Sequence, residues 1–407
     1  MQYLKIVEQY GSPAYVYQLD SIDLAFQDLM NSLPTGSRIY YSLKSNPHPS
    51  IIKHLLNLGA KAEVSSINEL QVALKAGARA DECLYTGPGK TEKEVRFAIM
   101  HDVKWFSIES WTDAERLSRL CELHQRQVNA IIRINPSKPA NQVGLSMSGI
   151  ASQFGIDEEG LDCIPDHICK NHWLTISGLH IYQSTNLMNS KDVESNLKYS
   201  IRIMARICAR LGIRPELLDI GGGFGCPFAK AGPRPDFSSI KPSLEQVLDE
   251  VFPQWRKGDP QIAFESGRYL TGESGTLITT VTDVKTSKNQ TFIIVDTGIH
   301  HLGGMSALGR IPKVAVQMLE YPKHRLYKNA TVVGPLCTPL DYLLREVSLP
   351  EAQPGDHYLI PNVGAYALTA SLMGFLSREN PVEIVMYKGR ILDVSRIVLS
   401  RTEGNYN

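Results

Sequence analysis

Eight short apolar runs, each followed by a polar or glycine-rich turn and most then by a helical pattern, constrain this chain more than any other feature. The runs are Ile39–Leu43, Ala62–Ser65, Cys83–Thr86, Trp105–Ile108, Ala130–Ile134, Ile176–Ile181, Leu217–Ile220 and Ile262–Glu265. Apolar runs of this length, bounded by turn signals, read as strands buried on both faces. Between them lie helical stretches at Ile67–Ala76, Lys90–Met100, Trp111–His124 and Asn196–Leu211, with Ser110 as the cap of the third. Eight β–α repeats over about 230 residues match the size of a (β/α)8 TIM barrel. A doubly wound sheet is the competing architecture. The count of eight favours the barrel, as do the distinctive residues that follow most strands.

After Leu270 the pattern changes. Thr276–Val284, Thr291–Val295, Thr331–Val333, His357–Ile360 and Ile384–Tyr387 are β-rich, with turns at Gly298, Gly303-Gly304 and Pro354-Gly355-Asp356. The expected organisation is a barrel over residues 26–270 and an all-β domain over 271–407. The N-terminal segment 1–25 joins the β-domain, because Ala14–Tyr17 reads as a strand that pairs with it.

Composition removes several classes. Among 407 residues, 42 Lys and Arg balance 42 Asp and Glu. No basic field argues for nucleic acid or an anionic membrane. No apolar run approaches the ~20 residues that span a bilayer. Met1-Gln2-Tyr3-Leu4-Lys5 lacks the apolar core of a signal peptide. Seven cysteines (Cys83, Cys121, Cys163, Cys169, Cys208, Cys226, Cys337) are scattered and never in CxxC spacing. Neither a disulfide framework nor a metal centre is expected, and the cytoplasm is the expected compartment.

Several segments carry chemistry. Lys44, in Tyr40-Tyr41-Ser42-Leu43-Lys44-Ser45-Asn46-Pro47, follows the first strand at once. Held at a barrel mouth away from bulk water, its amine pKa would fall and it could form a Schiff base. A lysine at a strand end also snorkels to water, and this segment alone does not decide. Leu218-Asp219-Ile220-Gly221-Gly222-Gly223-Phe224-Gly225 follows the seventh strand. Glycines there let backbone N–H groups converge on a phosphate, although a plain tight turn uses glycine too. Phe264-Glu265-Ser266-Gly267-Arg268 ends the eighth strand. Its carboxylate and guanidinium form either a simple ion pair or two tools. Glu265 could keep the ring nitrogen of a pyridoxal cofactor protonated, and Arg268 could join the glycine loop at the phosphate. In Gly178–Asn186, alternation puts His180 and Tyr182 on one face. Tyr182 could stack on a flat cofactor and Thr185 could donate to phosphate; a core His and Tyr pair is the plainer account. In the β-domain, Gly334-Pro335-Leu336-Cys337-Thr338-Pro339 frames a cysteine more exposed than a core cysteine, and Asn362-Val363-Gly364-Ala365-Tyr366 is a second polar loop.

Taken in order, YYSLKSN, AEVSSINEL, GPGKTEKE, LDIGGGFG, FESGRY and GPLCTP with NVGAY resemble the fold-type III pyridoxal-phosphate decarboxylases, the diaminopimelate, ornithine and arginine decarboxylase group. The likeness runs from about Tyr15 to Pro381. It implies an alanine-racemase-like barrel with a β-domain, and pyridoxal 5'-phosphate as cofactor. It implies Lys44 as the Schiff-base lysine and Glu265 as the ring-nitrogen partner. Gly222, Gly223, Gly267, Arg268 and Tyr366 would serve the phosphate, and Glu63 would lie beside the cofactor. Cys337 would reach the neighbouring subunit's site in a homodimer and protonate the product carbanion.

Two departures point to a branch. Tyr182-Gln183-Ser184-Thr185 stands where relatives carry a stacking histidine in His-x-Gly-Ser, so Tyr182 would stack. Thr338 follows Cys337 where the diaminopimelate and ornithine enzymes carry an acidic residue for the distal ammonium. With Met147-Ser148-Gly149…Gln153-Phe154-Gly155 and His300-His301, these look like the secondary-metabolism branch. That branch acts on amino acids whose distal end is acylated, conjugated or borne by an acyl-carrier protein. Arg310 is the candidate for holding an anionic distal part of the substrate. The alternatives are diaminopimelate decarboxylation for lysine synthesis, a racemase, and a non-catalytic pyridoxal-phosphate homeostasis protein. Two-base racemisation would use a tyrosine opposite the lysine, and homeostasis proteins are single barrels.

Overall fold

The computed structural model describes residues 2–139, 145–146, 149–169, 171–303, 314–319 and 325–401. The chain forms two compact units. One comprises Asp23–Cys226 and Arg234–Leu270; the other comprises Met1–Ile22, Pro227–Pro233 and Thr271–Asn407.

The first unit is a closed barrel. Its strands are β1 Arg38–Ser42, β2 Lys61–Val64, β3 Leu84–Tyr85, β4 Trp105–Ile108, β5 Val128–Asn135, β6 Leu174–His180, β7 Leu217–Asp219 and β8 Gln261–Ser266. Each pairs in parallel with the next, and β8 pairs with β1. Helix starts are fixed by side chains. Ser66 caps Ile67–Lys75, Thr91 and Glu94 form a capping box ahead of Glu92–Met100, and Ser110 caps Trp111–His124. The capping box excludes Lys90 from its helix, two residues later than the sequence suggests. The fourth helix runs Ser190–Leu211, six residues longer at its start, because Asn189 caps it.

Barrel interiors are filled in layers contributed by alternate strands. Here Tyr40, Leu84, Ile131 and Leu217, from β1, β3, β5 and β7, form one apolar core cluster with Ala263. Nearer the C-terminal mouth the lining turns polar. Glu63 on β2, Ser107 on β4, His180 on β6 and Glu265 on β8 are all buried. Ser107 touches His180, and His180 touches Glu265, each across an intervening strand. Ser42, Thr86, Arg133 and Asp219 mark the odd strands, or the residue just past them, at this end. The apolar layer holds the barrel together, and the polar layer is where chemistry is placed.

The second unit is built on a nine-stranded sheet. Ala14–Gln18 lies parallel to Val382–Tyr387 and antiparallel to Gly275–Ser287. Ile6, Ala14, Val16, Ile278, Val382, Ile384 and Met386 form one of its cores. Tyr342–Pro350 and Arg390–Arg396 are strands that the sequence pattern did not mark. Arg390–Arg396 is mostly exposed and Tyr342–Pro350 mostly half-buried, and charged residues interrupt the apolar run on which the expectation rested. Residues Pro227–Pro233 group with this unit rather than the barrel. Asn362 explains it: its Nδ2 donates to the carbonyls of Lys230 and Gly232, and its carbonyl accepts from Ala229 N–H. Among the described residues no helix is long and apolar enough to cross a membrane. Met147, Ser148, Gly304 and Arg310 lie outside the described residues.

Candidate active site

Lys44 is set by the turn that ends β1. Leu43–Ser45 is a single 3-10 turn. Ser45 Oγ donates to the Ser42 carbonyl at 2.8 Å, and Tyr41 Oη donates to the Asn46 carbonyl at 2.7 Å. Gly267 lies against this turn: a Cβ there would come within 2.6 Å of Ser45 Oγ. The end of β8 therefore closes on the lysine turn only because residue 267 has no side chain. Lys44 Nζ donates to Glu63 Oε1 at 2.7 Å, and Thr86 Oγ1 donates to the same oxygen at 2.5 Å. Burial pushes the Glu63 carboxyl up. The Lys44 charge, with hydrogen bonds from Lys44, Ser42 and Thr86, outweighs it and holds the carboxyl below its usual value. The expectation that Lys44 is shut off from water does not hold in the single chain. Its side chain is 44% exposed, because the turn lifts it above the buried layer that holds Glu63.

Below Lys44 lies an acidic cluster. His180, Asp219 and Glu265 each bring one ligand-type atom within 4.8 Å of the others. Asp219 Oδ1 accepts from Gly221 N–H at 2.9 Å, which ties the carboxylate to the glycine turn. Burial pushes the Asp219 carboxyl up to about 7; the Gly221 N–H pulls against it and the Glu63 charge adds to it. Burial raises the Glu265 carboxyl well above its usual value, and the charges of Glu63 and Asp219 raise it further. Among the described residues, Glu265 Oε1, Asp219 Oδ2 and His180 Nε2 are buried without a hydrogen-bond partner. Buried polar atoms are rarely left so, and such a cluster asks for a ligand that brings a donor or a cation. A protonated ring nitrogen meets that need. One imidazole and two carboxylates are also a set that a divalent cation accepts, but the lysine and glycine turn beside them have no part in a metal centre.

The glycine turn has a steric cause as well as a chemical use. A Cβ on Gly222 would sit 2.0 Å from the Glu265 carbonyl oxygen; one on Gly223, at φ +91°, would sit 2.5 Å from the Ser184 carbonyl. The turn is thus wedged between the loop after β6 and the end of β8. Tyr182 packs beside Gly221, half-buried. Strand β6 stops at His180, so the alternation that put His180 and Tyr182 on one face does not extend to the tyrosine. Thr185 is half-buried in a short strand pair with Leu145. Arg268, buried, opens the short helix Arg268–Thr271.

Lys44, Glu63, Tyr182, Thr185, Gly222, Gly223, Glu265, Gly267 and Arg268 all lie at the C-terminal end of one barrel. Cys337, Thr338 and Tyr366 belong to the second unit. Cys337 is exposed, whereas Cys83, Cys121, Cys208 and Cys226 are buried. Asp341 shapes its loop, accepting from Leu336 N–H and Ile299 N–H at 2.9 and 2.8 Å. Tyr366 is half-buried, with φ +54°. Ser107, Asp219 and Arg133 were missed as site residues. Only Asp219 carried a signal, a carboxylate closing an apolar run just before the glycines.

A barrel mouth with a reachable lysine, a glycine turn, a buried arginine and an unsatisfied carboxylate is suited to a flat ring bearing an aldehyde and a phosphate. Residues 19–272 match the model of the pyridoxal-dependent decarboxylase family, pyridoxal binding domain. The chain is 31% identical over 393 residues to the L-glutamyl-[BtrI acyl-carrier protein] decarboxylase of Niallia circulans, covering 94% of this chain and 91% of that one. It is 24% identical to the 2-[(L-alanin-3-ylcarbamoyl)methyl]-2-hydroxybutanedioate decarboxylase of Staphylococcus aureus, covering 90% of this chain and 92% of that one. The crystal structure of diaminopimelate decarboxylase from Helicobacter pylori complexed with L-lysine superposes with a TM-score of 0.82 at 27% identity, covering 96% and 95% of the two chains. The chain belongs to the pyridoxal-dependent decarboxylase family. It is a carboxy-lyase that uses pyridoxal 5'-phosphate.

Proposed function

We propose that this enzyme removes the α-carboxylate of an amino acid whose distal end is conjugated or carried by an acyl-carrier protein, in natural-product or siderophore biosynthesis. The observation that carries the reading is Thr338, a neutral residue directly after Cys337, on a loop whose only described buried carboxylate, Asp341, is turned inward to backbone N–H groups. A free distal ammonium would find no counter-ion on that loop. The 31% identity to an enzyme named for a carrier-bound glutamyl group supports the same choice.

In this reading Lys44 would hold the cofactor through its side-chain amine, and Glu63 would hold the lysine in place. Glu265 would serve the ring nitrogen. The glycine turn, Thr185, Arg268 and Tyr366 would bind the phosphate, and Tyr182 would pack against the ring. The bound cofactor supplies a sink for the electron pair left when the bond from Cα to the carboxylate breaks and carbon dioxide leaves. Cys337, from a second copy of the chain in a homodimer, then gives its thiol proton to Cα and regains one from solvent. The test is carbon dioxide release from carrier-bound or ω-acylated amino acids beside free diamino acids.

Diaminopimelate decarboxylation is the second reading. The Helicobacter pylori likeness over nearly the whole chain favours it.

A further inference from the structure

The alternate-strand layer at the barrel mouth contains one titratable group that the decarboxylation above does not use. His180 is buried at the end of β6. Ser107 Oγ lies 2.9 Å from its Nδ1, and Glu265 Oε1 lies 3.5 Å from its Nε2. Ser107 is itself fixed: its carbonyl accepts from Lys90 Nζ at 2.9 Å, and Lys90 pairs with Asp113 at 2.7 Å. A chain of fixed groups therefore runs from Asp113 through Lys90 and Ser107 to the imidazole. It ends on Glu265, the carboxylate that would serve the cofactor's ring nitrogen.

We propose that His180 is a positioning residue that acts through Glu265: its Nε2–H supports the ionised carboxylate from behind, so that the carboxylate keeps its charge on the ring nitrogen. The proposal rests on the reading of Glu265 given above. In the tautomer in which Ser107 Oγ donates to Nδ1, the remaining ring proton is on Nε2, 3.5 Å from Glu265 Oε1, and a small turn of the ring would close that gap to a hydrogen bond. The imidazole has to be neutral for this. Burial pushes its pKa well down, and the charges of Arg133, Lys44 and Lys90 push it further. Glu63 and Asp219 oppose the ionisation of Glu265 and Lys44 and Arg133 favour it, and His180, turned onto Oε1, would add a donor without adding a charge. Without that donor, Glu265 would face Asp219 with one stabilising contact fewer. Its proton would be held more tightly, and the ring nitrogen would lose its own proton at lower pH.

The test uses the holoenzyme loaded with ring-nitrogen-labelled cofactor, read by nitrogen NMR across a pH series. In His180→Asn the amide keeps the Ser107 contact but cannot reach Glu265. The ring nitrogen should titrate about one pH unit lower than in the wild type. In His180→Gln the amide reaches the Nε2 position, and the wild-type titration should return. Ser107→Ala, which only frees the ring to turn, should shift the titration in the same direction by less. This variant decides the matter if His180→Asn does not fold. Glu265→Gln separates the two levels. If it leaves the nitrogen titration unmoved, the reading of Glu265 itself is wrong. If it moves the titration while His180→Asn and Ser107→Ala do not, or if the Asn and Gln variants behave alike, the role given to His180 is wrong.

Discussion

Lys44 Nζ and Glu63 Oε1 stand 2.7 Å apart at the barrel mouth, one side chain 44% exposed and the other buried. The buried partner orients the exposed one. Glu63→Gln removes the charge but keeps an acceptor for Thr86 and Lys44. The fold should hold, with Tm within about 4 °C of the wild type. The lysine should lose its fixed position, and kcat/KM should fall by at least about tenfold. Unchanged kcat/KM would show that the pair is only an ion pair.

Cys337 is exposed on the second unit, and Lys44 belongs to the barrel. Cys337→Ala should keep the visible absorption of the bound cofactor and lose turnover. Lys44→Ala should lose both. Mixed and allowed to exchange subunits, the two inactive proteins should recover activity, because in the proposed homodimer one composite site would then have both groups intact. No recovery, with exchange confirmed by mass spectrometry of the dimers, would remove Cys337 from a shared site.

Lys90 is buried, with its ammonium on Asp113, the Gly87 carbonyl and the Ser107 carbonyl. Lys90→Met strands the Asp113 charge, which keeps a 3.4 Å contact to Arg116 and the hydrogen bond from Glu109 N–H at 3.2 Å. Urea unfolding should show a loss of about 3 kcal/mol, and adding Asp113→Asn should recover part of it. A loss below about 0.5 kcal/mol would mean the pair is solvated.

Glu383 gives a pH signature in the β-unit. Burial pushes its carboxyl from an ordinary value of 4.5 up to about 7, against the hydrogen bond from Tyr17 Oη at 3.0 Å. Between those values the folded chain binds more protons than the unfolded one. The stability it contributes is full below 4.5 and is lost as pH rises through about 7. His300 and His301, lowered by burial to about 4 and about 3, slope the other way, so the difference between wild type and Glu383→Gln is the quantity to measure. Relative to the wild type, the variant should gain roughly 3 kcal/mol between pH 4 and pH 8. A flat difference would place the carboxyl's titration near its ordinary value.

The barrel was legible because each of its strands is a local apolar run, and the candidate site because Lys44, the glycines and Arg268 sit in turns of unusual composition at the ends of those strands. The closure of the barrel was not local. Ser107 reads as an ordinary strand serine in Trp105-Phe106-Ser107-Ile108, and only the return of the chain at β6 sets it against His180. Asn362 likewise gave no sign that it would hold residues 227–233 in the β-unit, since its partners are backbone carbonyls about 130 residues away. The glycines were legible as glycines, but the reason for them was only half visible. Phosphate chemistry was the sequence reading, and close approach to the Glu265 and Ser184 carbonyls is the structural one.

The substrate claim is tested most directly by competition in one reaction. A carrier-bound or ω-acylated amino acid and free meso-diaminopimelate are supplied together at equal concentration, and the two decarboxylated products are quantified. An unpaired distal ammonium in a desolvated site costs about 3–5 kcal/mol, so the conjugate should lead by roughly two to four decades in kcat/KM. Equal consumption of meso-diaminopimelate would contradict the account and assign the enzyme to lysine synthesis.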